Sequence, residues 1–110
     1  QTGDVKFGKD PSDMSRAGMG GSDLANIPAE FSDVPFDRGI VGMARSQSPD
    51  SANSQFFIMF TEGYFLNNQY TVVGRVTEGM DVVDALKLGD SRSGAISGQP
   101  DVMQTVTVID

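Results

Sequence analysis

The sequence predicts a mainly β, antiparallel fold with a single helix. Three observations lead there. The apolar residues fall in short runs of strand length, rich in aromatic and β-branched side chains. The 13 glycines lie mostly outside those runs, where turns are needed. Only one segment has a helical period. With 110 residues, the chain suits one domain, spanning residues 1–110.

The elements follow in order. Residues 1–28 are rich in Gly, Ser and Asp, and Gly18, Gly20 and Gly21 cluster in a structured surface loop. Residues 30–31, Glu-Phe, suggest a short strand. Residues 40–44, Ile-Val-Gly-Met-Ala, form an apolar run behind Gly39 and read as a buried strand. Residues 45–53 are polar and contain Pro49, so they form a loop. Residues 55–60, Gln-Phe-Phe-Ile-Met-Phe, are the most strand-like segment; such continuous apolarity needs cover on both faces, or a groove along one.

Residues 62–69 form another loop, around Gly63 and Asn67-Asn68, and residues 71–77 form a β-branched strand. Residues 79–88 place Met80, Val83 and Leu86 at helical spacing, with Asp81 in the first turn, Lys87 in the last and Gly89 as the stop. Residues 90–101 are a loop. Residues 102–109 alternate and predict a closing strand.

Composition removes several function classes. Hydrophobic residues make up 38% and charged residues 21%, a globular balance. The net charge is −7 and the eight Lys and Arg are scattered, which argues against a nucleic-acid partner. No run approaches the ~18 apolar residues of a membrane-spanning helix, so no membrane partner is expected. Cys and His are both absent, which removes thiolate chemistry, the usual general base and the commonest metal ligand.

Other chemistry finds little support. Ser54 has no visible base to activate it. Asp10, Asp13, Asp23, Asp33 and Asp37 lack the spacing of a calcium loop and read as solvated turn carboxylates. The glycine cluster fits neither phosphate-loop pattern. Asp81 and Asp84 sit on the predicted helix, away from any groove that a glycosidase pair would face. What remains is a set of apolar groups near polar loops: Phe56, Phe57, Met59 and Phe60 on one strand, then Tyr64, Phe65, Leu66 and Tyr70. An ordinary core would use the same residues. Phe65 and Tyr70 stand in loop segments beside Asn residues, however, where aromatics would line a shallow apolar pocket.

Ser54-Gln-Phe-Phe-Ile58, with Gly42-Met-Ala44 before it and Phe65-Leu66 and Val72-Val-Gly-Arg-Val-Thr-Glu-Gly-Met80 after it, resembles the cyclophilins, the cyclophilin-type peptidyl-prolyl isomerases. Gln1-Thr-Gly-Asp4, the glycines through Gly21 and Glu30-Phe31 also fit, and Arg45 and Phe65 resemble the choices of bacterial members. The resemblance covers essentially the whole chain and is loosest over the last twenty residues.

It implies a cyclophilin-like closed antiparallel barrel, eight-stranded when complete, of which this chain would be the C-terminal part. It implies catalysis of X–Pro bond rotation in proteins during folding, with no cofactor and no metal. Phe57 would floor the proline pocket, and Leu66 and Tyr70 would wall it. Ala44 and Arg45 would pair with the substrate backbone. Gln55 would join the substrate-binding set, and Gln1 would contact substrate and orient the catalytic Arg. Arg45 stands where many members have Asn and is not that catalytic Arg. The resemblance places the catalytic Arg upstream of Gln1, with the first three strands and first helix of the barrel. Partners would be proline-containing peptides and unfolded proteins. Phe65 stands where many members carry Trp; it keeps apolar contact but lacks the indole N–H, so cyclosporin binding would be weak. The alternative is a module that binds proline peptides without turnover.

Overall fold

A computed structural model describes Asp4, Arg16, residues 18–86 and residues 101–109. Three short strands carry the architecture: β1 (Ile40–Met43), β2 (Phe56–Ile58) and β3 (Val72–Arg75). A 3-10 turn (Tyr64–Leu66) lies between β2 and β3, and a helix, α1 (Met80–Asp84), follows. The fold is mainly β, built on an open three-stranded sheet of order β2-β1-β3 with both pairings antiparallel.

β1 is the central and most buried strand and alternates into the core: Ile40 is buried and Gly42 is buried, with Val41 and Met43 half-buried. It sets Val41, Gly42 and Met43 opposite Ile58, Phe57 and Phe56 of β2. On its other side Ile40 faces Arg75 and Val41 faces Gly74, and the register then slips so that Gly42 faces Val72. Backbone bonds extend both pairings past the regular strands. Ala44 N–H donates to Gln55 C=O (2.9 Å), Met59 N–H to Ile40 C=O (2.9 Å), Met43 N–H to Thr71 C=O (2.9 Å) and Val76 N–H to Gly39 C=O (2.8 Å). The sequence expectations of 55–60 and 71–77 thus locate the strands correctly; their ends turn away from the regular ladder.

The buried centre is Phe36, at 1% exposure, with Ile40 and Ala52. Phe36 precedes β1 and is pinned through its backbone: its N–H donates to Asn67 Oδ1 (2.9 Å) and its C=O accepts from Gly63 N–H (2.8 Å). A buried main chain has to pair its polar groups, and here two loops supply the partners.

Three expected elements differ. Residues 30–31 form no strand, because the Glu30 N–H is taken by the Thr71 hydroxyl (3.0 Å) rather than by a ladder carbonyl. Ala29 N–H likewise goes to Asp50 Oδ1 (2.8 Å), and the segment keeps a single bridge, Ile27 to Ala52. Residues 102–109 form no strand either. Despite their alternation they are exposed, and a strand needs an edge to pair with. The helix is shorter than 79–88: Gly79 caps it with φ +100°, a conformation that glycine adopts cheaply, and Lys87, Leu88 and Gly89 lie outside the described residues. Met80 and Val83 are half-buried while Val82 is exposed, as one apolar face requires.

α1 is tied back to the turn before β1. Arg38 donates through both terminal nitrogens to the two Asp84 carboxylate oxygens (2.8 and 2.7 Å) and to Phe60 C=O (2.7 Å). The hydrogen bond from Arg38 holds the Asp84 carboxyl below its ordinary value, and the same bond raises Arg38. Among the described residues no helix is long and apolar enough to cross a membrane.

Two predictions follow from this packing. A Cβ built on Gly42 would lie 2.5 Å from Phe57 Cζ and 2.9 Å from Phe36 Cε1, whereas one on Gly74 meets nothing within 4 Å. Gly42→Ala is expected to destabilise by about 1–3 kcal/mol through overpacking, and Gly74→Ala to stay within about 0.5 kcal/mol, both read from urea midpoints. For the ion pair, a lowered folded-state carboxyl means stabilisation that is present above the ordinary carboxylate range and lost as pH falls through the lowered value. Arg38→Gln is therefore expected to lower the thermal midpoint at neutral pH and to match the parent once Asp84 is protonated. A midpoint difference that persists in acid would contradict this.

Candidate functional site

Phe57 sits at the middle of β2, opposite Gly42, and its ring turns onto the face that β1 leaves bare. It stacks on Phe36, with ring centroids 5.8 Å apart and planes 25° off parallel. It also meets Tyr70 in a T-shaped contact, with centroids 5.6 Å apart and planes at 89°. Both geometries are favourable for aromatic quadrupoles. Phe57, Tyr70, Leu66, Ala44 and Arg45 together line an open slot of about 210 Å³.

The slot's far wall depends on the turn from Leu66 to Tyr70. Gln69 N–H closes that turn onto Leu66 C=O (3.0 Å), and Asn68 takes a left-handed φ of +59°, which Asn tolerates better than most residues. Asn67 anchors it to Phe36, as described above. Arg45 anchors its other end: Nε and Nη2 both donate to Gln69 C=O (2.9 and 2.7 Å), and the guanidinium lies 4.6 Å from the centre of the Tyr70 ring. Nη1 donates to the carbonyls of Ser46 and Gln47 (2.9 and 3.1 Å).

Beyond Ala44 and Arg45 the slot gives way to a larger polar groove of about 490 Å³, walled by the glycine-rich stretch 18–21 on one side and the 46–54 loop on the other. Gln55 holds the glycine-rich wall, donating through Nε2 to the carbonyls of Gly18 (2.8 Å) and Gly20 (3.1 Å). Asp4 Oδ2 accepts the N–H groups of the same two glycines (2.7 and 3.0 Å). Asn53 closes the groove's floor with its full set of bonds. Its Oδ1 accepts from the Ser22 N–H (2.6 Å) and hydroxyl (2.7 Å), and its Nδ2 donates to Leu24 C=O and Asn26 Oδ1 (both 3.0 Å).

The structure therefore brings Ala44, Arg45, Phe57, Leu66 and Tyr70 around the slot and sets Gln55 in the adjoining groove. Phe65 is not among the slot's lining residues. It is 82% exposed, because the 3-10 turn directs it outward beside Gly63 while Leu66 turns in. Gln1 lies outside the described residues. Sequence reasoning passed over Phe36, Asn53 and Ser22. Phe36 carried the signal of an aromatic directly ahead of an apolar strand; the other two looked like ordinary loop residues. Among the described residues no three Cys, His, Asp or Glu side chains converge in a way that could hold a metal ion.

This is a two-compartment cleft on an antiparallel sheet, with an apolar slot beside a polar groove. The family model described as cyclophilin type peptidyl-prolyl cis-trans isomerase/CLD matches residues 1–108, and the chain belongs to that family. It is 56% identical over 110 residues to a probable peptidyl-prolyl cis-trans isomerase of Brucella abortus, covering 98% of this chain and 56% of that one. It is 40% identical over 83 residues to peptidyl-prolyl cis-trans isomerase B of Escherichia coli, covering 64% of this chain and 51% of that one. A solved cyclophilin of Cryptosporidium parvum, determined in the presence of the dipeptide Ala-Pro, superposes with a TM-score of 0.62 at 27% identity, over 78% of this chain and 56% of that one. The chain spans about half the length of the curated relatives it matches, 56% for the Brucella protein.

One prediction tests the groove. Asn53→Asp removes both donors and sets a charge against the Leu24 carbonyl, so a loss of about 1–2 kcal/mol in denaturant titrations is expected. An unchanged midpoint would mean that the two Nδ2 bonds, to Leu24 C=O and Asn26 Oδ1, do not hold the groove.

Proposed function

We propose that this chain supplies the proline-recognition surface of a peptidyl-prolyl cis-trans isomerase, which accelerates X–Pro rotation in unfolded and folding proteins. The observation that carries the reading is the apolar slot lined by Phe57, Leu66 and Tyr70, in a chain of the cyclophilin family; in this reading Phe57 would floor the proline site and Leu66 and Tyr70 would wall it. A prolyl ring is compact, apolar and without an N–H, so an aromatic-floored slot suits it. Ala44 and Arg45, shared by slot and groove, lie where the substrate main chain would run. Gln55 contributes from the groove side, Phe65 from the outer rim, and Gln1 by orienting an Arg donor.

The chemistry needs no bond broken. Amide resonance sets a barrier of ~18–20 kcal/mol to rotation. Catalysis requires the twisted amide to be bound better than either planar isomer. With the ring held, a donor directed at the prolyl nitrogen stabilises the lone pair that appears as resonance is lost. About 10⁶-fold acceleration needs ~8 kcal/mol. No nucleophile, metal or cofactor enters, which suits a chain without Cys or His.

The finer architecture belongs to the same proposal. Residues 1–110 form one domain, and the β2-β1-β3 sheet is part of a closed antiparallel barrel, the outer sides of β2 and β3 taking further strands. Cyclosporin binding is weak, since Phe65 offers an apolar face without a donor. A second reading, peptide capture without turnover, is favoured by one observation: Arg45, the cation of the slot, commits its donors to the carbonyls of Gln69, Ser46 and Gln47.

The test is a protease-coupled or exchange-NMR assay on an Ala-Pro peptide. Acceleration is expected, with kcat/KM falling about 10–100-fold in Phe57→Ala, the equivalent of ~1.5–3 kcal/mol of apolar contact. Peptide-induced shifts around the slot without acceleration would support capture alone. Neither shifts nor acceleration would overturn both.

A further inference from the structure

We propose that Arg45 is a positioning residue: its side chain is a latch that sets the slot's far wall. The proposal rests on the reading of the slot as the proline site. Two loops meet at this guanidinium. It leaves the end of β1, reaches across to the Gln69 carbonyl with two donors, turns a third nitrogen back to the Ser46 and Gln47 carbonyls, and sets its central carbon 4.6 Å from the centre of the Tyr70 ring. Tyr70 in turn meets Phe57 in a T-shaped contact. The position of the wall is therefore linked through one planar group to the loop that borders the polar groove.

The arrangement depends on guanidinium shape as well as charge. Only a planar fork donates in several directions within one plane while its face stacks on a ring. A lysine ammonium could sit over Tyr70, or reach one carbonyl, but as a point charge it cannot span both loops. Among the described residues its partners are backbone carbonyls and an aromatic ring, which are fixed parts of the fold and suit a latch.

The consequence concerns ground-state binding. The wall holds the ring equally while the amide is planar and while it is twisted, so loosening it removes uniform binding and leaves the rotation step untouched. Peptide affinity and turnover should then separate. Expected for Arg45→Gln is an Ala-Pro peptide Kd, from NMR titration, weakened about five- to tenfold, a larger change than any in the exchange rate of bound peptide; tenfold corresponds to ~1.4 kcal/mol. Arg45→Lys is expected to resemble Arg45→Gln. A mere stabilising role would lower the active fraction instead, leaving the Kd of the folded molecules alone.

An unchanged Kd in Arg45→Gln overturns the latch, as does full rescue by Lys. Phe57→Ala separates the levels: if it weakens Kd while Arg45→Gln does not, the slot stands and the latch falls; if it too leaves Kd unchanged, the slot reading itself fails. Should the variants not fold, the parent protein decides. A latched Arg45 gives a resolved, slowly exchanging Nε–H signal with proximity to the Tyr70 ring, perturbed when the peptide binds. A signal averaged with the other arginines would overturn the proposal.

Discussion

Phe57 can stack on Phe36 because residue 42, its register partner across β1, has no side chain. The missing Cβ is the space that the ring occupies. Much else in the cleft depends on that close approach. With Phe57 seated over Gly42, its ring is available to Tyr70, and the 66–70 turn must come down to meet it. The strand register, fixed by one glycine, therefore fixes the depth of the slot. In most sheets a glycine weakens the strand that carries it; here the cost is offset by aromatic packing between Phe36 and Phe57.

The loops are held by a different kind of force. Few apolar groups are available to pack them, so their main-chain polar groups are satisfied by side chains. Asn67 serves Phe36, Thr71 serves Glu30, Asp50 serves Ala29, Asn53 serves Ser22 and Leu24, and Arg45 serves Gln69, Ser46 and Gln47. Each bond is worth only about 0.5–1.5 kcal/mol net. Leaving a partner unpaired near the sheet would cost more than that. Such bonds fix geometry more than they add stability, which is what a cleft lined by loops requires.

This division explains what was legible in the sequence. β1, β2 and β3 could be placed because apolar runs and β-branching are local properties, and ordered motifs such as Ser54-Gln-Phe-Phe-Ile58 pointed to the family. Met80 to Asp84 was readable from its period. Residues 30–31 and 102–109 misled because alternation states only that a segment could be a strand; pairing depends on an edge elsewhere in space. The Glu30 N–H found a hydroxyl instead. Among the site residues, the motif indicated Phe57, Leu66 and Tyr70 together, and the slot unites them. Phe65 and Leu66 are adjacent in sequence, yet the 3-10 turn sends them opposite ways, and nothing local announces that turn. Asn53 and Asn67 were invisible as anchors because their worth lies in partners some thirty residues distant.

The cleft's two compartments are physically unlike, and their junction matters for that reason. An apolar slot selects a ring by excluding water and has little directional information. A groove of carbonyls, amides and hydroxyls is directional but wet. Ala44 and Arg45 belong to both, and the Arg45 guanidinium bonds to the groove-side loop while stacking on a slot wall. A chain segment lying across them would meet directional contacts on one side and shape on the other. For the proposed reaction, whose only event is rotation, that asymmetry is useful. One side of the bond must be gripped by shape and the other guided along an arc, and a uniformly apolar or uniformly polar cleft could not do both.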